Sequence, residues 1–249
     1  MSVSNILSKL KELNDANLVS VYVPSARKEM KFRPLSVKQQ KDLIKSGLDG
    51  NLSGITLSNV INQIVLDNAT EKHTYLVTDR FPVILSLRIQ AFGSEFSITE
   101  NEKKITFDLK DIVSRKLSFT FPEKASLDLD KTDLSAEVDV IALETDIKVN
   151  EFQLDKLKKN KESDNIGDTI GSLFIYEIVK FVTKIIIGKE EIDLASAPIK
   201  DRLSVIENIP ATLNNKILDY IQKFRKEENE YITIDGNTLP VDARLFSKE

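Results

Sequence analysis

The 249-residue sequence predicts an α+β protein with an N-terminal strand pair and helices, a central antiparallel β region, and a C-terminal helical, bundle-like region. Three observations carry that reading. Helical periodicity dominates residues 36–93, alternating and β-branched patterns take over from 94 to 149, and helical periodicity returns after 165. Strands and helices that keep to separate stretches argue against a doubly wound parallel sheet, whose strands and helices alternate. As domains, the chain reads as 1–160 and 161–249, with "KLKKNKESDN" at 156–165 as the linker.

The elements follow in order. The N-terminus places Ile6, Leu7, Leu10 and Leu13 at helical spacing, and charges interrupt it too often for a signal-peptide core, so no export is expected. "NLVSVYV" alternates and is β-branched, so 18–23 reads as a strand, with "EMKFR" as its partner across a turn at Ser25 and Ala26. Pro34 ends the second strand because it cannot donate to a ladder. Ser36 then caps a helix, and Gln39 completes a capping box. Val37, Ile44 and Leu48 fall on one side of that helix, which Gly47 or Gly50 would end.

Leu57, Val60, Ile61, Ile64 and Val65 trace one apolar helical face. A third helix starts at Asp79 as N-cap, tolerates Pro82 in its first turn, turns Phe81, Ile84, Leu85 and Phe92 inward, and stops at Gly93. "EFSITENEKKITFDL" predicts a hairpin turning near Asn101, "LSFTF" a strand, and "AEVDVIALETDIKV" a further β run or pair. Residues 169–187 predict an apolar helix. Glu177, Lys180 and Lys184 break its 170–188 stretch, so it reads as a core helix, since a membrane span needs about 20 mostly apolar residues. A short helix follows Pro198 with Ile199, Leu203 and Ile206 inward, and a longer one starts near Ala211 with Leu213, Ile217, Ile221 and Phe224 on a stripe. "YITIDGNTLP" closes as a hairpin, because Asp-Gly suits a two-residue turn with positive φ.

Composition removes several chemistries. With 35 basic and 39 acidic side chains the net charge is -4, which offers no general attraction to nucleic acid or an anionic membrane. The absence of cysteine excludes disulfides, thiolate metal sites and cysteine nucleophiles. His73 is the single histidine, so a Ser-His-Asp triad would have to be built on it, and no metal site can hold two histidines from one chain. No glycine-rich phosphate loop occurs.

His73 and Asp79 lie close in sequence, but no nucleophile-elbow serine stands beside them. A glycosidase-like pair needs two carboxyls held roughly 5–10 Å apart across a cleft, and "KEE" at 189–191 reads more simply as a solvated turn. Lys156, Lys158, Lys159 and Lys161 form the sharpest basic cluster, without the aromatic residues of a nucleic-acid surface, and read as a solvated loop. Arg88 falls on an apolar helical stripe, where a charge must find a partner, and an ion pair with Asp79 or another carboxylate is expected. No catalytic, cofactor-binding or metal-ligating residue is assigned.

These residues carry a resemblance. "VYVPSARKEMKFRPLSVKQQKDLIKS", with Pro24, Lys31 to Pro34 and Ser36 to Lys45, resembles the opening of the T4-type bacteriophage baseplate proteins, the hub subunits and hub assembly proteins. "TDRFPVILSLRIQAFG" adds Asp79 and the Leu87-Arg88 pair, and the region from Ile170 to Leu245-Phe246 matches in layout. The likeness is strongest over 20–93. Many relatives carry cysteine pairs after the third helix that look like a zinc knuckle; this chain has "GSEFSITENEKKITFDL" there, so any metal role is lost and the hairpin must stand on packing. The resemblance implies a non-enzymatic component or assembly factor of the baseplate hub, partnered by other hub proteins and not by nucleic acid or membrane. It would reside in the virion tail baseplate, or in the host cytoplasm during tail assembly. A hub-associated hydrolase with a carboxylate pair acting on the cell wall is the alternative.

Overall fold

A computed structural model describes residues 3–48, 53–100, 102–115, 123–159 and 166–247. The chain forms two compact units, one of Met1–Phe119 with Glu230–Glu249 and one of Thr120–Asn229. The α+β class holds.

The first unit opens with helix α1 (Val3–Ala16). Strand β1 (Val19–Val23) then pairs antiparallel with β2 (Lys28–Phe32), and Val21, Val23, Met30 and Phe32 are buried by the two-residue alternation of the pleat. Helix α2 (Val37–Gly47) begins at the expected cap. Ser36 Oγ accepts from the Gln39 N–H at 3.2 Å, and Gln39 Oε1 accepts from the Ser36 N–H at 3.0 Å. Ser36→Ala is expected to cost about 0.5–2 kcal/mol, read as a lower midpoint in chemical unfolding.

Two details of α2 depart from the sequence reading. Val37 and Leu48 are exposed, and the buried residues are Leu43 and Ser46. Gly47 does not end the helix with a left-handed residue; Leu48 is the C-cap, at φ -102°. Gly47 is required by close approach, since a Cβ there would lie 2.7 Å from the Ala243 backbone nitrogen. Gly47→Ala must push that backbone aside and is expected to cost about 1–3 kcal/mol in equilibrium unfolding. Gly50 lies outside the described residues.

Helix α3 (Ser53–Asn68) buries Leu57, Ile61, Ile64 and Val65 of its predicted stripe, while Val60 is half-buried at its edge. Helix α4 (Arg80–Phe92) is buried on every side from Pro82 to Arg88, the state of a helix apolar nearly all round. Gly93 closes it at φ 89°, donating its N–H to Ile89 O at 2.8 Å. Asp79 precedes α4 without capping it. It ends a 3-10 turn, Val77–Asp79, and its side chain reaches back to the Leu76 N–H.

Strands β3 (Glu95–Glu100) and β4 (Lys103–Asp108) make the expected hairpin, with Phe96 stacked on Phe107 at 6.3 Å and both rings buried. Helix α5 (Leu109–Ser114), capped by Asp108, interrupts the expected run of strands. "LSFTF" lies outside the described residues.

The second unit is a four-stranded antiparallel sheet with helices. β5 (Ala125–Asp128) and β6 (Leu134–Val138) lead into α6 (Leu143–Lys159), so the reading of 143–149 as strand is wrong. Its inward positions recur at helical spacing but carry Asp146, Asn150 and Gln153 beside Leu143 and Val149, which disguises the stripe. Helix α7 (Ile166–Phe181) stops six residues short of the expected 187, and Val182–Ile187 becomes strand β7. The switch follows composition: "VTKIII" is almost wholly β-branched.

β8 (Glu190–Asp193) completes the order β5-β6-β7-β8. Because β6 pairs with β7 across both helices, residues on either side of 160 share one sheet, and a division at 160 would cut it. Helix α8 (Ile199–Glu207) buries Ile206 and Arg202, while α9 (Ala211–Tyr231) buries Leu213, Ile217, Ile221 and Phe224 on its expected stripe. Back in the first unit, β9 (Thr233–Ile234) and β10 (Asn237–Thr238) form the Asp-Gly hairpin, with Asp235 and Gly236 both at positive φ. A final 3-10 turn, Ala243–Phe246, buries Leu245 and Phe246.

Candidate functional site

The fold supplies a serine that the sequence did not place beside His73 and Asp79. Ser25, in the turn between β1 and β2, has its Oγ 2.7 Å from His73 Nε2 and 2.6 Å from Asp79 Oδ2. Asp79 is fully buried and also accepts the Ser25 N–H at 2.9 Å and the Leu76 N–H at 2.7 Å.

The wiring differs from a nucleophilic triad, in which histidine stands between serine and carboxylate. Here the serine stands in the middle. Its hydroxyl donates to the carboxylate, and the direction of its contact with His73 Nε2 follows the imidazole tautomer. Two backbone N–H groups pin the carboxylate in place. Burial pushes the Asp79 carboxyl above its ordinary 3.8, against the downward pull of the Ser25 and Leu76 donors and of His73. The cluster ties the β1–β2 turn to the entry of α4. It is a latch.

Arg88 is buried as expected, but its partners are not. The guanidinium donates from Nε to Leu245 O at 3.1 Å and from Nη1 to Gly93 O, and it lies near the Phe92 and Phe96 rings, at 5.8 and 5.7 Å from their centroids. Asp79 is engaged by Ser25 and Leu76 instead. The expected ion pair is replaced by two carbonyls at chain turns, and uncompensated burial lowers the basicity of Arg88.

The remaining sequence candidates disperse. Lys156, Lys158 and Lys159 belong to the last turn of α6, where cations suit the negative end of the helix, and do not lie in a loop. Lys161 lies outside the described residues. Glu190 and Glu191 are exposed on β8, and Glu191 pairs with Lys184 at 2.8 Å. Among the described residues no group of three His, Asp or Glu could hold a metal ion, and no helix is long and apolar enough to cross a membrane.

What remains is a surface. On α1, Val3, Ile6, Leu7, Leu10 and Leu13 are 46–74% exposed and lie on one side of the helix. Val3, Ile6, Leu10 and Leu13 repeat at intervals of three and four, the spacing of a helix-pairing seam. Arg33 Nε to Asp15 Oδ1 at 2.7 Å ties the last turn to the chain after β2. An exposed pair of that kind contributes little, about 0–1 kcal/mol.

Fold and geometry thus define a mixed α+β protein with a structural polar latch and an exposed apolar helix. The chain belongs to the T4 bacteriophage base plate protein family, whose model matches residues 16–234. Comparison with curated proteins and with solved structures finds no match. Helix α1 lies almost wholly ahead of the matched span.

Proposed function

We propose that this baseplate protein is a non-enzymatic component or assembly factor of the contractile-tail hub, acting by binding other hub proteins. The observation that carries the proposal is the apolar stripe of α1. Burying a large aliphatic side chain is worth about 1.5–3 kcal/mol, so four or five covered together supply a binding surface. Both resting places are consistent with this role, the virion baseplate for a permanent component and the host cytoplasm for a factor that departs. The latch supports the same reading, since its serine is spent on a buried carboxylate.

The test replaces Leu7 and Leu10 by serine. Folding of the rest is expected to keep its unfolding midpoint, while co-purification with tail hub proteins drops at least about tenfold, the equivalent of 1.4 kcal/mol. Full hub assembly by this variant, or clearing of peptidoglycan in a gel by the wild-type protein, would overturn the proposal. Mass spectrometry of mature virions against tail-assembly intermediates separates component from factor.

A further inference from the structure

Arg88 also lines a cavity of about 290 Å³, together with Phe92, Glu95, Phe96, Lys104 and Ser247. The arginine is 4% exposed, yet among the described residues only its Nε and Nη1 make hydrogen bonds. Its third nitrogen, Nη2, makes none and is not sealed from solvent. The charged lining comprises two cations, Arg88 and Lys104, and one anion, Glu95.

We infer that this cavity is a carboxylate socket, which receives an acidic group of a protein partner on the free edge of the Arg88 guanidinium. Three features point to that chemistry. Among the described residues the hydrogen bonds of this buried guanidinium go to neutral carbonyls and none to a carboxylate, so an incoming anion gains from the low local polarity. The planar fork still has N–H groups on Nη1 and Nη2, and a carboxylate accepts two such bonds side by side. Phe92 and Phe96 lie near the guanidinium and restrict its plane, so the fork is set before the ligand arrives. A cavity of this size takes one side chain or one chain end.

The biological partner rests on the binding role proposed above, but the socket is tested without it. The probes are N-acetyl-glutamate methylamide for an acidic side chain, N-acetyl-dialanine for a chain terminus, and inorganic phosphate. The readout is the Arg88 Nε–Hε resonance of the full-length protein. A carboxylate probe is expected to shift it saturably with a Kd of about 1–10 mM, where 1 mM corresponds to about -4.1 kcal/mol. Raising the salt is expected to weaken the effect.

Exposed Lys104 provides a variant that leaves Arg88 and its carbonyls in place. Lys104→Glu is expected to weaken binding at least about fivefold through the reversed charge at the cavity. A tighter response to the glutamate probe would name a side chain as the source, and a tighter response to dialanine a chain terminus; both support the socket. No saturable shift with either carboxylate, an equal response in Lys104→Glu, or tighter binding of phosphate than of both carboxylates would overturn it. Failure of the socket leaves the α1 co-purification test untouched, so the two proposals fail separately.

Discussion

Lys180→Met is expected to lower the stability of the second unit by about 3–5 kcal/mol, the range found when one member of a buried ion pair is removed. Lys180 Nζ lies 2.9 Å from Asp146 Oδ1 and 2.9 Å from Glu177 Oε1, and both Lys180 and Asp146 are buried. Glu177 in turn takes Arg225 at 2.6 Å, and Arg225 takes Glu228 at 2.7 Å. The network therefore joins α6, α7 and α9. Methionine fills much of the space of lysine but removes the ammonium that buried Asp146 and Glu177 share. The companion variant Asp146→Asn removes the anion and is expected to cost less when combined with Lys180→Met than the two separate costs would suggest, because the stranded charge is gone.

The acid limb gives an independent check. Burial works to raise the Glu177 carboxyl, but Lys180 and Arg225 outweigh it and hold the group below its ordinary 4.5. A carboxyl lowered by folding contributes stability above its unfolded value and loses it as pH falls through its folded value. Lys180→Met weakens that hold. The gap between wild type and variant should therefore be widest at neutral pH and should narrow below about 4.5 in the part that comes from Glu177. Urea unfolding at several pH values measures it, and a gap that widens in acid would contradict the network.

The same network explains why part of the fold was hidden in the sequence. Helices α3 and α9 announced themselves because each buries an apolar stripe, Leu57 to Val65 and Leu213 to Phe224. Helix α6 did not, because Asp146, Asn150 and Gln153 face inward and a polar residue looks solvent-exposed until its partner on another helix is known. Local signals read well where the chemistry is local. Ser36 with Gln39, and Asp235 with Gly236, were legible because each motif satisfies its own backbone. The end of α7 was not, because a largely apolar run suits a helix or a strand until its β-branching is weighed.

The site divided along the same line. Burial of Arg88 could be read from its helical position, but its carbonyl partner at Leu245 arises from tertiary packing, and the one at Gly93 from the end of its own helix. Ser25 lies 54 residues from Asp79 and carries no motif that joins them, although both stand in the stretches that resemble the baseplate family.

That pairing leads to the second large effect. Asp79→Ala is expected to destabilise the first unit by about 2–6 kcal/mol at neutral pH, because it strands the Ser25 and Leu76 N–H groups at about 1–3 kcal/mol each. Asn is expected to rescue only in part, since one amide oxygen can serve one of those donors while the NH2 group confronts the other. Ser25→Ala removes only the hydroxyl and should cost about 1 kcal/mol.

The pH dependence separates a latch from a simple loss of packing. Folding raises the Asp79 carboxyl above 3.8 through burial, so the native state holds this proton more tightly than the unfolded chain does. Its contribution is therefore greatest below 3.8 and declines as pH rises through the folded value. The alanine variant lacks that titration. Its deficit relative to wild type should be largest in acid and shrink toward neutral pH, the reverse of the Lys180→Met trend. Parallel urea midpoints for wild type and Asp79→Ala across that window would show that Asp79 does not titrate as a buried latch. An unchanged midpoint at neutral pH would show that its donors find other partners.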